Sequence, residues 1–359
     1  MLQRMHSLTP LPALQRLYIG WCERVEPNPV DKAIRALDEE FSAAGYFTTD
    51  FWWYAKLGLV YLGILAGAIS CVLLGESFAV RSLLGGALLG LFLQQLAFVG
   101  HDCGHNAIMR KLVPEKTLGL ICGGALTGIS SGWWKSNHNT HHIATNMVSH
   151  DPDIHHLPIF AVTTSLLGAT STYYNKVMTF DWISKFFVRN QHLWFMPVMA
   201  IARINLYVQS LVHIMVNMRG VWRYLELASM LVYFSWLSCL VAALPTYQER
   251  VVFFILSHAL TGVLHIQICV SHFSMETIDT QFSSKGESWV EHQCRTTLDI
   301  QHNQFSKFVH GGLDMQIEHH LFPRMARHNL YKVRRRRMFC SRFARHITPR
   351  RLSPALELC

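Results

Sequence analysis

Ser82–His105 reads SLLGGALLGLFLQQLAFVGHDCGH. Its first part, Ser82–Gly100, carries no Asp, Glu, Lys or Arg, and two histidines four residues apart follow at once. A helix crossing a bilayer needs about 20 mostly apolar residues, and about 17 at the short end. Three further stretches meet that requirement without an acid, lysine or arginine: Leu57–Leu74, Leu227–Leu244 and Val251–Val270. Only GESFAVR separates the first pair and only PTYQER the second, so each pair reads as a tight helical hairpin. The expected fold is an all-α integral membrane protein with four transmembrane helices, at about 57–74, 82–100, 227–244 and 251–270. A helical cap carries the histidine clusters.

Composition agrees. Half of the 359 residues are apolar and 15% are charged, too greasy a balance for an ordinary soluble domain. The weaker runs Leu118–Ile129, Leu193–Ile201 and Ile204–Met218 are short or interrupted by polar groups, and are expected to lie in the interface or inside the protein. Residues 1–50 show no signal peptide and read as a cytosolic lead-in. Within them, Pro29–Gly45 places Val30, Ile34, Leu37 and Phe41 at helical spacing, and this amphipathic helix is expected on the membrane surface. Residues 51–333 form the membrane domain and 334–359 a basic tail.

The net charge of +9 does not indicate a nucleic-acid partner, because Lys and Arg gather at both termini and beside apolar segments, as the positive-inside rule requires. Both termini are therefore expected in the cytosol. With two crossings before residue 101 and two more before 271, segments 101–226 and 271–359 emerge on that same face. The nine cysteines are odd in number and never spaced as CxxC, which argues for reduced packing thiols over disulfides or a thiolate metal site.

Histidine is the outlier, with 21 residues, many of them clustered. A neutral imidazole is the commonest metal ligand among side chains. His101–Asp102–Cys103–Gly104–His105 sets two rings one helical turn apart. His138–Asn139–Thr140–His141–His142 adds three, and the adjacent His141 and His142 point about 100° apart on a helix, so they suit two neighbouring ions better than one. Gln316–Ile317–Glu318–His319–His320 repeats the adjacent pair after the second hairpin. Gln316 stands where a third histidine would be, and its amide is expected to orient a ligand or a water. Imidazole-only ligation suits iron, zinc or copper and disfavours magnesium and calcium. His272 shares a helical face with His265 and is a candidate further ligand. His258 and His265 lie inside a span. No role is assigned to His150, His155, His156, His192, His302, His310 or His328. Asp102, Asp153, Asp299 and Glu318 are candidates to accept a hydrogen bond from the outer nitrogen of a ligand ring.

HDCGH, HNTHH and QIEHH, in this order and spacing, resemble the three boxes of membrane fatty acid desaturases, and the glutamine of the third resembles the front-end subgroup. Trp133–Trp134–Lys135, Asp151–Ile154, Gln191–His192 with Arg203, Ser271–Met275, Arg295–Ile300 and His310–Leu330 extend the likeness over roughly residues 30–333. The resemblance implies two non-haem irons held by His101, His105, His138, His141, His142, His272, His319 and His320. It also implies an O2-dependent removal of two hydrogens from adjacent methylenes of a lipid, in a narrow apolar tunnel. Ser171–Asp181, Ala202–Ser210 and His265–Met275 look most like the delta-8 sphingolipid branch of that subgroup. Front-end members carry a fused cytochrome b5 domain with an HPGG motif. None is present here, so a separate cytochrome b5 and its reductase are the expected electron source, in the endoplasmic reticulum membrane. After Val333 the likeness ends. A lipid hydroxylase with the same boxes, a zinc lipid hydrolase and an inactive membrane scaffold are the competing readings.

Overall fold

The computed structural model describes residues 28–279, 288–301 and 303–334. The first part of the lead-in, the tail beyond Arg334 and His302 lie outside the described residues.

Helix α1 (Pro29–Ala43) starts where Asn28 Oδ1 accepts the Asp31 N–H at 2.8 Å, with proline at its first position. Its apolar stripe, Val30, Ile34, Leu37 and Phe41, is buried as the spacing predicts. It packs against Met315, Ile317, Leu321 and Phe322, with the Phe41 ring edge-on to Phe322 at 5.2 Å. Protein side chains thus cover the face that the sequence alone assigns to lipid.

Helix α2 (Phe51–Leu74) buries little beyond Tyr61, Ala68 and Val72, leaving Leu59, Val60, Leu62 and Leu73 exposed, as expected of a lipid-facing span. The chain returns through a π-helical turn, Ala79–Leu84, into α3 (Gly85–Gly104). There follow α4 (Leu112–Gly119), α5 (Ser131–Ile143), a two-stranded hairpin of β1 (Thr170–Ser171) and β2 (Lys176–Val177), and α6 (Trp182–Arg189). The long helices α7 (Gln191–Val216), α8 (Val221–Ala242) and α9 (Tyr247–Phe273) come next. The short helices α10 (Trp289–Thr296), α11 (Gln304–His310), α12 (Gln316–Leu321) and α13 (Arg327–Arg334) complete the described chain. Helix α3 lies directly on α9 because its glycines permit it. A Cβ at Gly90 would stand 2.7 Å from the Ser257 carbonyl oxygen, and one at Gly86 would stand 3.1 Å from that of Phe253.

Among the described residues, five helices, not four, are long and apolar enough to cross a bilayer: Phe51–Leu74, Ala79–Gly104, Gln191–Val216, Val221–Ala242 and Tyr247–Phe273. The chain is an integral membrane protein. The additional candidate arises because the runs Leu193–Ile201 and Ile204–Met218 are one continuous 26-residue helix, α7. Arg203, which breaks the apolar pattern in sequence, is buried and partnered. Its Nε donates to Tyr207 Oη at 2.7 Å, and its Nη2 donates to the Thr127 carbonyl. Hydropathy along the chain registers the charge but not its partners.

Candidate metal centre

Helices α3 and α9 end at the same level, and their last turns deliver His101 and His272. His105 caps α3, with its ring centroid 4.8 Å from that of His101. Helix α5 brings the second box. Its N-terminus is fixed by Ser130, whose Oγ accepts the Trp133 N–H at 3.0 Å. Glu226 of α8 fixes it further by accepting the Gly132 N–H at 2.8 Å and the Ser130 hydroxyl. The third box is the short helix α12, entirely buried from Gln316 to Leu321 and held from behind by α1.

The ring nitrogens fall into two sets. His101, His105, His138 and His319 place ligand atoms within 4.8 Å of one another, and so do His141, His272 and His320. His142 faces the first set, with Nε2 at 3.0 Å from His138 Nε2 and 3.1 Å from His319 Nε2. Its ring stacks on His320 of the second set at 4.1 Å. The neighbouring rings His141 and His142 thus diverge toward different sets, as the helical angle between consecutive residues requires.

These residues fit a pair of metal ions. Ligand nitrogens at about 2.0–2.1 Å from a tetrahedral ion stand about 3.3 Å apart, close to the separations around His142. The buried Nε2 atoms of His101, His105 and His141 make no hydrogen bond, a costly state for an enclosed polar atom that a cation relieves. Burial, reinforced by neighbouring imidazoles, pushes His105, His138, His142, His319 and His320 well below the usual histidine range. Those rings stay neutral and able to ligate at physiological pH. His141 goes the other way. Burial lowers it, but the carboxylates of Asp151 and Asp153 and the hydrogen bond to Asp151 raise it to about 9.

The outer ring nitrogens are held by defined partners. His141 Nδ1 donates to Asp151 Oδ2 at 3.0 Å, whereas Asp153, one of the four acids that are candidates from sequence, lies farther at 3.7 Å. Asp151 is locked in turn by the backbone N–H groups of Asn146 (2.7 Å) and Asp153 (2.9 Å). His272 Nδ1 lies 3.2 Å from the Thr296 carbonyl, and His320 Nδ1 lies 2.8 Å from Gln293 Oε1. Gln293 also donates to the His142 carbonyl at 3.0 Å and accepts from Thr145 Oγ1 at 3.0 Å, tying the second and third boxes together. Sequence reasoning missed Gln293, which sits outside every box and carries no local signal.

Of the other acids, Asp102 lies 3.5 Å from His101 Nδ1. Its other oxygen takes the Tyr54 hydroxyl at 2.7 Å and the Arg327 guanidinium at 3.0 Å. Asp299 accepts the Ile317 N–H at 2.8 Å and pairs with Arg334 at 3.0 Å, so it holds α12 rather than a ligand ring. Glu318 Oε2 is buried without a hydrogen bond. His258 binds the Tyr207 hydroxyl at 3.2 Å inside the helix bundle, His310 binds the Ser306 carbonyl, and His328 accepts the Asp50 N–H. All three lie away from the two sets.

A cavity of about 560 Å³ opens from His101, His138, His141, His272 and Gln316 and continues between α3, α5, α7 and α9, walled by Phe98, Met199, Leu206, Leu264 and Ile268. Its size and largely apolar wall suit a hydrocarbon chain. The sequence profile of the fatty acid desaturase family matches residues 79–350, a stretch that contains all three boxes and this cavity.

The chain belongs to the fatty acid desaturase family. This desaturase is 37% identical to the Delta(8)-fatty-acid desaturase 2 of Arabidopsis thaliana, an alignment covering 91% of this chain and 73% of that protein. It is 40% identical, with the same coverage of both, to the Acyl-lipid (9-3)-desaturase of Borago officinalis. With the Delta 8-(E)-sphingolipid desaturase of Komagataella phaffii it shares 39% identity over 80% of its own length and 53% of that relative's. The desaturase is therefore an oxidoreductase acting on a lipid. Family membership and the apolar cavity leading to clustered imidazoles agree on that class, and the hydrolase and scaffold readings fall away.

Proposed function

We propose that this desaturase introduces a double bond into the long-chain base of a sphingolipid, using two irons held by His101, His105, His138, His141, His142, His272, His319 and His320. One observation carries the reading: two sets of imidazoles converge at the head of an apolar cavity large enough for a lipid chain. Iron in such a site supplies the one-electron oxidising chemistry, with O2, that acid–base side chains cannot provide for an unactivated C–H bond. The relatives' names support the lipid class.

The residues of the chain do the positioning. Asp151, Thr296 and Gln293 hold the outer nitrogens of His141, His272 and His320 and so fix the rings toward the ions. Gln316, at the cavity wall beside the third box, orients a water or a ligand ring without itself binding iron. Phe98, Leu264 and Ile268 keep the chain dry and bent so that one pair of methylenes faces the irons. Electrons come from a cytochrome b5-type donor and its reductase.

The topology we propose has four crossings, in the endoplasmic reticulum membrane, with the metal centre and both termini cytosolic. Parity supports it. The rings of His141 and His272 lie 4.6 Å apart, so an even number of complete crossings separates them. Three long helices, α7, α8 and α9, intervene; in this topology α8 and α9 make the second pair of crossings and α7 does not complete one.

Expression in a host with free cytochrome b5, followed by metal analysis and lipid mass spectrometry, tests the reading. About two irons per chain and a long-chain base lighter by two hydrogens are expected. A gain of oxygen in the product would instead identify a hydroxylase, and two zinc ions in active protein would remove iron from the reading.

A further inference from the structure

Most of the polar side chains along the apolar part of the cavity are engaged elsewhere. Thr127 Oγ1 donates to the Gly123 carbonyl at 2.7 Å, Ser130 is bound to Glu226, and Asn137 donates to Asp153 at 2.6 Å. His265 of α9, seven residues before His272, has both ring nitrogens buried and neither hydrogen-bonded. Two amides on α7 share that unpartnered state. Asn205 and Gln209, both on α7 and both lining the cavity, make no hydrogen bond among the described residues. Their i, i+4 spacing puts them on one helical face, about 6 Å apart. Primary amides are rare in an apolar helix, and those that face a cavity mark a substrate path.

Their depth can be placed. Ser210, next to Gln209, accepts the Ser130 N–H at 3.0 Å through its Oγ, and Ser130 donates to Glu226. One turn before Glu226, Lys116 Nζ lies 4.7 Å from the Trp222 ring, the pairing typical of a membrane–water boundary. The two amides thus sit just below the bilayer surface, where the polar backbone of a lipid lies. Ser130 also begins the helix that carries the second box, so His138 is eight residues, or about 12 Å, farther along.

The geometry points to Asn205 and Gln209 as the subsite that holds the neutral hydroxyl and amide groups of a long-chain base while its hydrocarbon runs toward the metal centre. This rests on the desaturation reading above. Amides both donate and accept, matching a hydroxyl or N-acyl group, which also does both; a glycerol ester carbonyl only accepts. The neutral pair gives a phosphate no charge partner. A site built around such hydrogen bonds rejects an analogue that lacks the group, because its own amides are then left unpaired.

The test uses full-length protein in membranes with a cytochrome b5 donor, supplied with a saturated C18 long-chain base, its deoxy analogue lacking one hydroxyl, or a saturated phosphatidylcholine. Wild type is expected to convert the hydroxylated base at least about tenfold faster than the deoxy analogue. The N205L/Q209M variant should lose that preference while keeping its metal content. Should the double variant fail to load metal, the single variants N205L and Q209M are read by the same ratio. A preference retained in the variants overturns the subsite and leaves desaturation standing. Wild-type activity confined to phosphatidylcholine acyl chains overturns both the subsite and the long-chain-base substrate, and leaves desaturation standing. No new double bond in any lipid sinks both the subsite and the desaturation reading.

Discussion

His141 and Asp151 form a closed pair: the ring Nδ1 lies 3.0 Å from Asp151 Oδ2, and both side chains are fully enclosed. That hydrogen bond fixes the tautomer so that Nε2, which makes no other bond, faces His272 and His320. Replacing Asp151 with Asn keeps the shape but weakens the acceptor. We expect metal affinity to fall about 10- to 100-fold, read as metal per chain after dialysis against a graded chelator. Unchanged loading would mean that the carboxylate serves only charge balance.

His141→Ala and His319→Ala each remove a ring from a different set. Both should abolish product formation, and each should lower the metal content toward one ion per chain or less. The measurement is elemental analysis of purified protein beside a lipid assay. Full activity in either variant would remove that residue from the centre.

Gln316→His places a further imidazole at the cavity wall beside the third box. If the native amide acts through a water or a neighbouring ring, iron content is preserved while turnover changes. A collapse of iron content would contradict that role.

Gly104 carries no side chain because Trp134 occupies the space. A Cβ there would fall inside the indole ring, which itself lies 4.3 Å from His138 and 5.1 Å from His101. Gly104→Ala should therefore displace the indole and disturb both rings. The expected readout is a change in tryptophan fluorescence together with reduced metal loading, and the prediction fails if both match wild type.

Glu226 is a buried acid on a membrane helix whose carboxylate holds the start of the helix bearing the second box. Glu226→Ala leaves the Gly132 N–H and the Ser130 hydroxyl without their acceptor, a loss of about 1–3 kcal/mol for each buried group. Thermal unfolding in detergent should show the loss, with a smaller shift for Glu226→Gln, which keeps one acceptor oxygen. Equal shifts for the two variants would argue that side-chain packing, not the hydrogen bonds, matters there.

The three histidine boxes and four of the five apolar helices were legible in the chain, because both signals are local: a ligand spacing is set by the helical turn, and a span is set by uninterrupted apolar length. The buried stripe of α1 was legible too, but its partner was not, since an apolar face does not encode whether lipid or protein will cover it. In sequence, helix α7 divides into two runs because Arg203 breaks the pattern, and only the fold supplies Tyr207 and the Thr127 carbonyl that make it tolerable.

The sequence by itself determined that this is a membrane protein with histidines clustered at metal-ligand spacing and, through its motifs, a desaturase relative. Tertiary structure alone decided which ring joins which set, that Asp151 rather than Asp153 orients His141, that Gln293 ties two boxes together, and where the cavity runs. The reason is distance along the chain. Contacts such as His142 with His319, 177 residues apart, depend on how α3, α5, α9 and α12 pack, and no local pattern records that packing.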